Sequence, residues 1–193
     1  SIYSLPEITR KEIKNFNIIS SPGFYPTSIL LPLIPLINKN LVKVSNIIID
    51  SKTGYSGAGR GVHKKYKNKN LYDSLSSYGV GNHRHNSEID QMLKKFSKKK
   101  IEVTFTPHLS PMCKGILSTI YLDLNRNVNM TKVLDLLTKF YKQEKFVKIS
   151  KSNTLISTND VINTNNCLIS VCKSKFNNKI IILSAIDNLI KGG

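Results

Sequence analysis

The sequence has few cysteines, and their placement argues against both a disulfide framework and a metal centre. Only three occur in 193 residues, namely Cys113, Cys167 and Cys172. Their number and spacing match neither paired half-cystines nor a set of metal ligands. A reducing, cytoplasmic setting is the expectation for such a chain. Cys167 and Cys172 lie on a predicted strand, so we expect buried thiols there rather than ligands.

The sequence also lacks an apolar run long enough to cross a membrane as a helix. The run from Ile29 to Ile37 is short and is interrupted by Pro32 and Pro35. The first residues do not have the charged-then-apolar pattern of a signal peptide. Apolar residues make up 40% of the 193 positions, which is typical of one sizeable domain with a hydrophobic core.

Acidic residues are scarce, and the resulting charge has two interpretations. The chain has 12 acidic and 29 basic residues, for a formal net charge of +17. Clustered cations would favour a nucleic-acid partner, because they displace phosphate counterions. The lysines are scattered, however, with short clusters such as those at 64–65 and 98–100, and the whole chain is rich in Lys, Asn and Ile. We therefore favour a compositional bias, with the charge assisting capture of anionic ligands.

A dinucleotide-binding fingerprint, Gly-x-Gly-x-x-Gly between a strand and a helix, is also missing. The nearest segment, Gly57 to Gly61, follows Tyr55 and Ser56 in a predicted loop and leads into polar sequence. We therefore expect residues 1–193 to form a single domain without a nucleotide-binding Rossmann domain, as an excised part of a larger protein or as a reduced one.

Strand and helix patterns favour an α+β fold. Apolar residues at helical spacing predict helices at 88–99 and 130–143. Strands are predicted at 41–51, 102–106, 116–124, 146–149, 167–173 and 180–185. Because strands cluster in the second half beside few helices, we predict a mixed, largely antiparallel sheet with helices packed on one face.

A turn leading into a helix is predicted at 20–28. The mostly apolar run 16–19 indicates a strand, which Pro22 and Gly23 end. Pro26 and Thr27 suit the first positions of a helix that continues to residue 37. Residue 24 then lies near a helix N-terminus, where free N–H groups stabilise an anion. A cysteine there would react as a thiolate, but Phe24 has no nucleophilic atom.

A group of polar residues at 83–88 is the best candidate for proton transfer. His83, Arg84 and His85 are consecutive, and Glu88 follows at a predicted helix start. Imidazole titrates near neutrality and can move a proton, while guanidinium can bind a carboxylate or phosphate through two hydrogen bonds. A surface loop with a satisfied histidine is the alternative, but two histidines around an arginine favour a functional site.

These segments resemble one enzyme family. Pro22-Gly23-Phe24-Tyr25-Pro26-Thr27 resembles the Pro-Gly-Cys-Tyr-Pro-Thr motif of N-acetyl-γ-glutamyl-phosphate reductases, arginine-biosynthesis enzymes related in architecture to aspartate-semialdehyde dehydrogenase. Further matching blocks lie, in family order, at 3–7, 56–60, 79–89, 105–117 and 184–192. The resemblance implies a fold like the C-terminal domain of glyceraldehyde-3-phosphate dehydrogenase, associating as a homo-oligomer.

The resemblance also implies roles for individual residues. Phe24 stands at the position of the family's nucleophilic cysteine, and His85 is the expected acid/base. The expected substrate-binding residues are His83, Arg84, Arg60 and Glu88, and the expected cofactor-binding residues are Ser56, Gly57 and Asn188.

The implied reaction is NADPH-dependent reduction of N-acetylglutamyl phosphate, a small anionic acyl phosphate, to N-acetylglutamate semialdehyde. A thiolate displaces phosphate, NADPH delivers hydride to the thioester, and histidine supplies a proton. With Phe24 in place of the thiol and no nucleotide domain, we expect this chain alone to be inactive. Two alternatives remain open: a degenerate, non-catalytic ligand-binding or assembly partner, and a basic nucleic-acid-binding module.

Overall fold

The computed structural model describes residues 1–58 and 73–192, and a seven-stranded sheet dominates these ranges. Two short 3-10 turns span Tyr55–Ala58 and Thr158–Asp160. The helices and strands are, in chain order, β1 (Ile2–Tyr3), α1 (Pro6–Ile13), β2 (Ile19–Ser20), α2 (Phe24–Asn38), β3 (Ile47–Thr53), β4 (Ser76–Ser77), α3 (Asn86–Phe96), β5 (Val103–Leu109), β6 (Ile116–Asp123), α4 (Met130–Phe140), β7 (Val147–Ile149), β8 (Cys167–Lys173) and β9 (Lys179–Ile186).

The sheet is mixed, and most of its neighbouring strands are antiparallel. Its strand order is β4-β5-β3-β6-β9-β8-β7. β3 pairs parallel with β5, and β7 pairs parallel with β8. The other four neighbouring pairs are antiparallel. Helices α2 and α4 pack against the strands of this sheet. The predicted α+β class with a largely antiparallel sheet is therefore confirmed.

The two faces of the sheet differ in burial because side chains alternate along each strand. On β3, Ile47, Ile49 and Ser51 are buried, whereas Ile48 is 40% exposed and Lys52 is partly exposed. β6 alternates in the same way. The helices cover the first face, and the second is called the open face below.

Helix α2 is buried on all sides. Its residues 25–37 are all buried, as expected for a helix that is apolar around its whole circumference. It contacts α3 and α4 as well as β6 and β9. Gly23 is its N-cap, in an extended conformation, so Phe24 is the first helical residue. The helix thus begins earlier than the sequence predicts, and residue 24 does lie at its N-terminus.

A tyrosine compensates for a proline inside α2. Pro35 has no N–H, so the carbonyl of Leu31, four residues earlier, loses its helical partner. The Tyr141 hydroxyl, which is buried just after α4, donates a hydrogen bond to that carbonyl at 2.6 Å. This bond joins α2 to the end of α4.

Small polar side chains lie where α2 meets the sheet. Ser118 on β6 is directly opposite Ser51 on β3. Its hydroxyl lies 2.7 Å from that of Ser51 and 2.8 Å from that of Ser28 on α2. All three residues are fully buried. Because serine is small, the first turns of α2 can approach the sheet closely, and the hydroxyls satisfy one another.

Some predicted boundaries were wrong. Of the strand predicted at 16–19, only Ile19 belongs to a strand, the two-residue β2, which pairs with the equally short β1. The strand predicted at 41–51 begins at Ile47, since Val42 makes only an isolated bridge to Leu124. Among the described residues, no helix combines the length and apolar character needed to span a membrane.

Replacing Tyr141 by phenylalanine should destabilise the fold. Tyr141→Phe keeps the ring but leaves the Leu31 carbonyl buried without a partner, which should lower the free energy of unfolding by about 1–3 kcal/mol. Urea denaturation measures this. Tyr121→Phe is the matched control, because Tyr121 is 43% exposed on the open face. Equal effects of the two substitutions would contradict the role given to Tyr141.

Candidate active site

His85 lies directly against the turn that precedes α2. A Cβ atom on Gly23 would lie 2.6 Å from His85 Nε2, so only glycine permits this approach. The Phe24 and His85 rings meet edge to face, with centroids 5.0 Å apart. The structure therefore brings together the predicted acid/base and the position predicted for the nucleophile.

Glu88 lies next to both Gly23 and His85. Its Oε2 accepts hydrogen bonds from the Tyr3 hydroxyl at 2.8 Å and from the Gly23 N–H at 3.1 Å. Its Oε1 lies 3.7 Å from His85 Nε2. Glu88 is in the first turn of α3, three residues after His85, so the two side chains share one side of the helix start.

Burial keeps His85 neutral. The residue is only 4% exposed, and this burial lowers the pKa of His85 to about 4. The Glu88 carboxylate opposes that shift, while His83 and Arg84 add to it. At neutral pH the imidazole is therefore uncharged and has one protonated and one unprotonated nitrogen.

His83 lies in an aromatic setting behind His85. Its ring meets those of Tyr25, Tyr78 and Phe105 edge-on, at centroid distances of 5.5, 5.5 and 5.6 Å. Its Nδ1 accepts the backbone N–H of His85 at 3.2 Å. Burial, and secondarily Arg84, lower the pKa of His83. Arg84 itself is exposed.

The residues expected to bind the cofactor lie together close to Phe24. Asn188 is buried; its Oδ1 accepts the Gly115 N–H at 2.7 Å, and its Nδ2 donates to Ser56 Oγ at 3.0 Å. A Cβ on Gly57 would lie 3.1 Å from Asn188 Nδ2 and 3.5 Å from Phe24 Cζ. Ser56, Gly57 and Asn188 thus border residue 24. Arg60 lies outside the described residues.

Sequence comparison identifies the family. Residues 25–188 match the family described as "Semialdehyde dehydrogenase, dimerisation domain". The chain belongs to this family. It is 45% identical over 192 residues to an N-acetyl-γ-glutamyl-phosphate reductase of Acetivibrio thermocellus, covering 100% of this chain and 56% of the relative. It is 43% identical over 191 residues to a probable N-acetyl-γ-glutamyl-phosphate reductase, chloroplastic, of Arabidopsis thaliana, covering 99% and 48%.

Solved structures of semialdehyde dehydrogenases share the fold. A probable aspartate-semialdehyde dehydrogenase of Pseudomonas aeruginosa superimposes with a TM-score of 0.77 at 13% identity, over 98% of this chain and 64% of that one. Aspartate semialdehyde dehydrogenase II of Vibrio cholerae, complexed with ASA, gives 0.74 at 16%, over 99% and 64%. The resemblance drawn from the motifs is confirmed, and the chain spans about half the length of the curated relatives it matches.

One residue in contact with Phe24 is absent from the sequence-based site predictions. Gly192 covers residue 24, and a Cβ there would lie 2.8 Å from Phe24 Cα. The preceding Lys191 forms a buried ion pair with Glu7. Asp187 accepts the N–H groups of Leu189 and Ile190, which closes the turn. The matching block at 184–192 contains Gly192, but the sequence does not indicate which residue this glycine would contact.

The neutral state of His85 should make folding stability depend on pH. Its folded pKa of about 4 lies below the unfolded value of 6.5. The associated stability is therefore complete above the unfolded value and is lost as pH falls through the folded one. Between about pH 7 and pH 5, the free energy of unfolding should fall less in His85→Gln than in the unchanged chain, as measured by urea denaturation.

The interval from about pH 7 to pH 8 is the control, because His85 is neutral there in both folded and unfolded chains. The two proteins should differ by a constant amount in that interval. Parallel curves down to about pH 5 would contradict a buried neutral His85.

Proposed function

We propose that this chain is the catalytic and dimerisation domain of an NADPH-dependent reductase acting on N-acetylglutamyl phosphate, and that Phe24 leaves it inactive as it stands. The observation that carries the proposal is the juxtaposition at residue 24. This residue is the first of α2, and His85 Nε2 lies against the Gly23 that precedes it. The names of the relatives support the choice of substrate.

A thiol at residue 24 would be activated by its position. The positive end of the α2 helix dipole would favour an anion at residue 24 and lower the pKa of a thiol there. The thiolate would attack the acyl-phosphate carbonyl and form a thioester as phosphate leaves. His85, which is neutral and close to this position, would move the proton needed when the semialdehyde is released.

The surroundings of Gly57 fit a close ligand. Gly57 has Asn188 and Phe24 as neighbours, and a side chain there would fill the space between them. Ser56, Gly57 and Asn188 would hold the nicotinamide part of NADPH, which supplies hydride when bound. Asn188 fixes the loops on either side of it through its bonds to Gly115 and Ser56.

Two features of this chain, besides the candidate Arg60, would favour the binding of an anion. The exposed guanidinium of Arg84 adjoins His85 and suits a phosphate or carboxylate. The formal charge of +17 would attract an acyl phosphate from a distance. Arg60 remains a sequence-based candidate for the same role.

The packing of Phe24 favours a second candidate function, that of a non-catalytic assembly partner. The Phe24 ring contacts the rings of Tyr25 and His85, with centroids 5.0 Å away in each case, and Gly192 lies over its backbone. A well-packed phenylalanine occupies the space beside the acid/base. Such a chain could still associate with copies that carry the thiol.

Association is proposed to use the open face with a second copy of this chain. Ile48, Tyr121 and Ile181 are direct neighbours across β3, β6 and β9, and Ile48 and Tyr121 are 40% and 43% exposed. Nearby charges are paired within the chain, since Lys179 contacts Asp123 and Lys52 contacts Asp50. These pairs reduce the repulsion expected when a strongly basic protein meets its copy.

The function can be tested by restoring the thiol. In Phe24→Cys, the new thiol should be alkylated by iodoacetamide several-fold faster than Cys113 near pH 6.5, because the helix N-terminus stabilises its thiolate. Cys113 is exposed and serves as the internal control. Peptide mass spectrometry follows both sites, and equal rates would contradict an activated position 24.

Turnover is the second part of this test. The chain fused to the part of the Acetivibrio thermocellus relative that it does not cover should reduce N-acetylglutamyl phosphate only when it carries Phe24→Cys. Nicotinamide absorbance reports the rate. Turnover with Phe24 in place would contradict the proposed inactivity. A Phe24→Cys fusion that binds NADPH but shows no turnover would favour the assembly-partner function.

A charge on the open face should prevent association. Tyr121→Glu would bury a carboxylate against a second copy, so light scattering should show a shift from dimer to monomer. Leu155→Glu is the matched control, because Leu155 is 87% exposed on a loop. If Tyr121→Glu remains as associated as the control, the interface lies elsewhere.

A further inference from the structure

Glu88 connects three separate segments at the site. Tyr3 belongs to β1, Gly23 is the N-cap of α2, and His85 precedes α3. One carboxylate oxygen accepts from both Tyr3 and Gly23, and the other faces His85 Nε2. The carboxylate therefore fixes the backbone that carries residue 24 and also faces the imidazole beside it.

We propose that Glu88 and Tyr3 are positioning residues for His85 and residue 24. In this role Glu88 favours the proton of neutral His85 on Nε2, and Tyr3 holds the Glu88 carboxylate in place. The inference rests on the proposed function, since it assigns the residues that orient its acid/base. This role differs from the sequence-based expectation that Glu88 binds substrate, which stays a prediction; Glu88 Oε2 accepts two donors from the chain itself.

The environment of His85 leaves Glu88 as the group that orients its ring. His85 Nδ1 is buried and has no hydrogen-bond partner among the described residues. A histidine is usually oriented through a bond to the nitrogen remote from the reaction, and that bond is missing here. The Glu88 carboxylate lies at the opposite nitrogen, where its charge favours an N–H.

Tyr3 is suited to a permanent donor role. Burial, followed by the hydrogen bond to Glu88 and the charge of Glu88, raises the pKa of Tyr3 above its ordinary value. The hydroxyl therefore stays protonated wherever the protein is folded. It constrains Glu88 Oε2, so Oε1 remains turned toward His85.

Nitrogen NMR of the imidazoles tests this assignment in the chain as it exists, with Phe24. Near pH 7, His85 should show a protonated Nε2 and an unprotonated Nδ1. In Glu88→Gln the two tautomers should become mixed, and Tyr3→Phe should shift them in the same direction by less. If Glu88→Gln does not fold, the tautomer of His85 in Tyr3→Phe alone still tests the proposal.

Two controls accompany the measurement. His83 should keep its proton on Nε2 in every variant, because its Nδ1 accepts the His85 N–H. Glu12→Gln removes a carboxylate from a surface ion pair with Lys95 and should leave His85 unchanged. A His85 that is protonated on Nδ1, or a tautomer that is unaffected by both Glu88→Gln and Tyr3→Phe, would overturn the proposal.

Kinetics of the fused Phe24→Cys protein separate positioning from substrate binding. Adding Glu88→Gln should lower kcat about tenfold or more with little change in KM, because proton transfer is impaired. A raised KM with unchanged kcat would instead assign Glu88 to substrate. If the fusion is inactive but the His85 tautomer responds to Glu88→Gln, the proposed reaction fails while the positioning role stands.

Discussion

The position of α2 is the constraint on which the site depends. Its burial against the sheet and two other helices fixes where its first residue emerges, and that residue is Phe24. The helix contains two interior prolines, which have no N–H to donate, so two of its carbonyl groups lose their usual partners. The Tyr141 hydroxyl replaces the hydrogen bond that Pro35 cannot make to the Leu31 carbonyl. Serine hydroxyls beneath the helix let it approach the sheet. The chemistry proposed for residue 24 thus relies on contacts deep in the core.

Much of the architecture could be predicted from local sequence, whereas the site geometry could be predicted only in part. Helical spacing at Ile89, Met92 and Leu93 located α3, and strands β8 and β9 followed from their apolar residues. Motif resemblance placed His85 and Asn188 near residue 24. The hydrogen bond from the Tyr3 hydroxyl to Glu88 and the contact of Gly192 with Phe24 could not be predicted, because these residues are far apart in sequence and no motif assigned them to the site.

Phe24 is well packed at the start of α2. Gly23, His85 and Glu88 form a connected arrangement beside Phe24. The phenyl ring packs edge-on against neighbouring rings, a geometry that stabilises aromatic pairs. In the proposed reaction the Phe24 ring would occupy the space beside the imidazole where a thiol is needed.

In the proposed function, the two faces of the sheet would separate chemistry from association. Because side chains alternate, neighbouring residues of one strand serve different faces: Ser51 of β3 supports α2, while Asp50 and Lys52 lie on the open face. A change at the start of α2 acts on the helix-covered side and leaves the open face intact. The association proposed for the open face therefore does not require a thiol at residue 24. A chain with Phe24 can retain the surface through which active copies would associate, which is why catalytic and assembly functions require separate measurements.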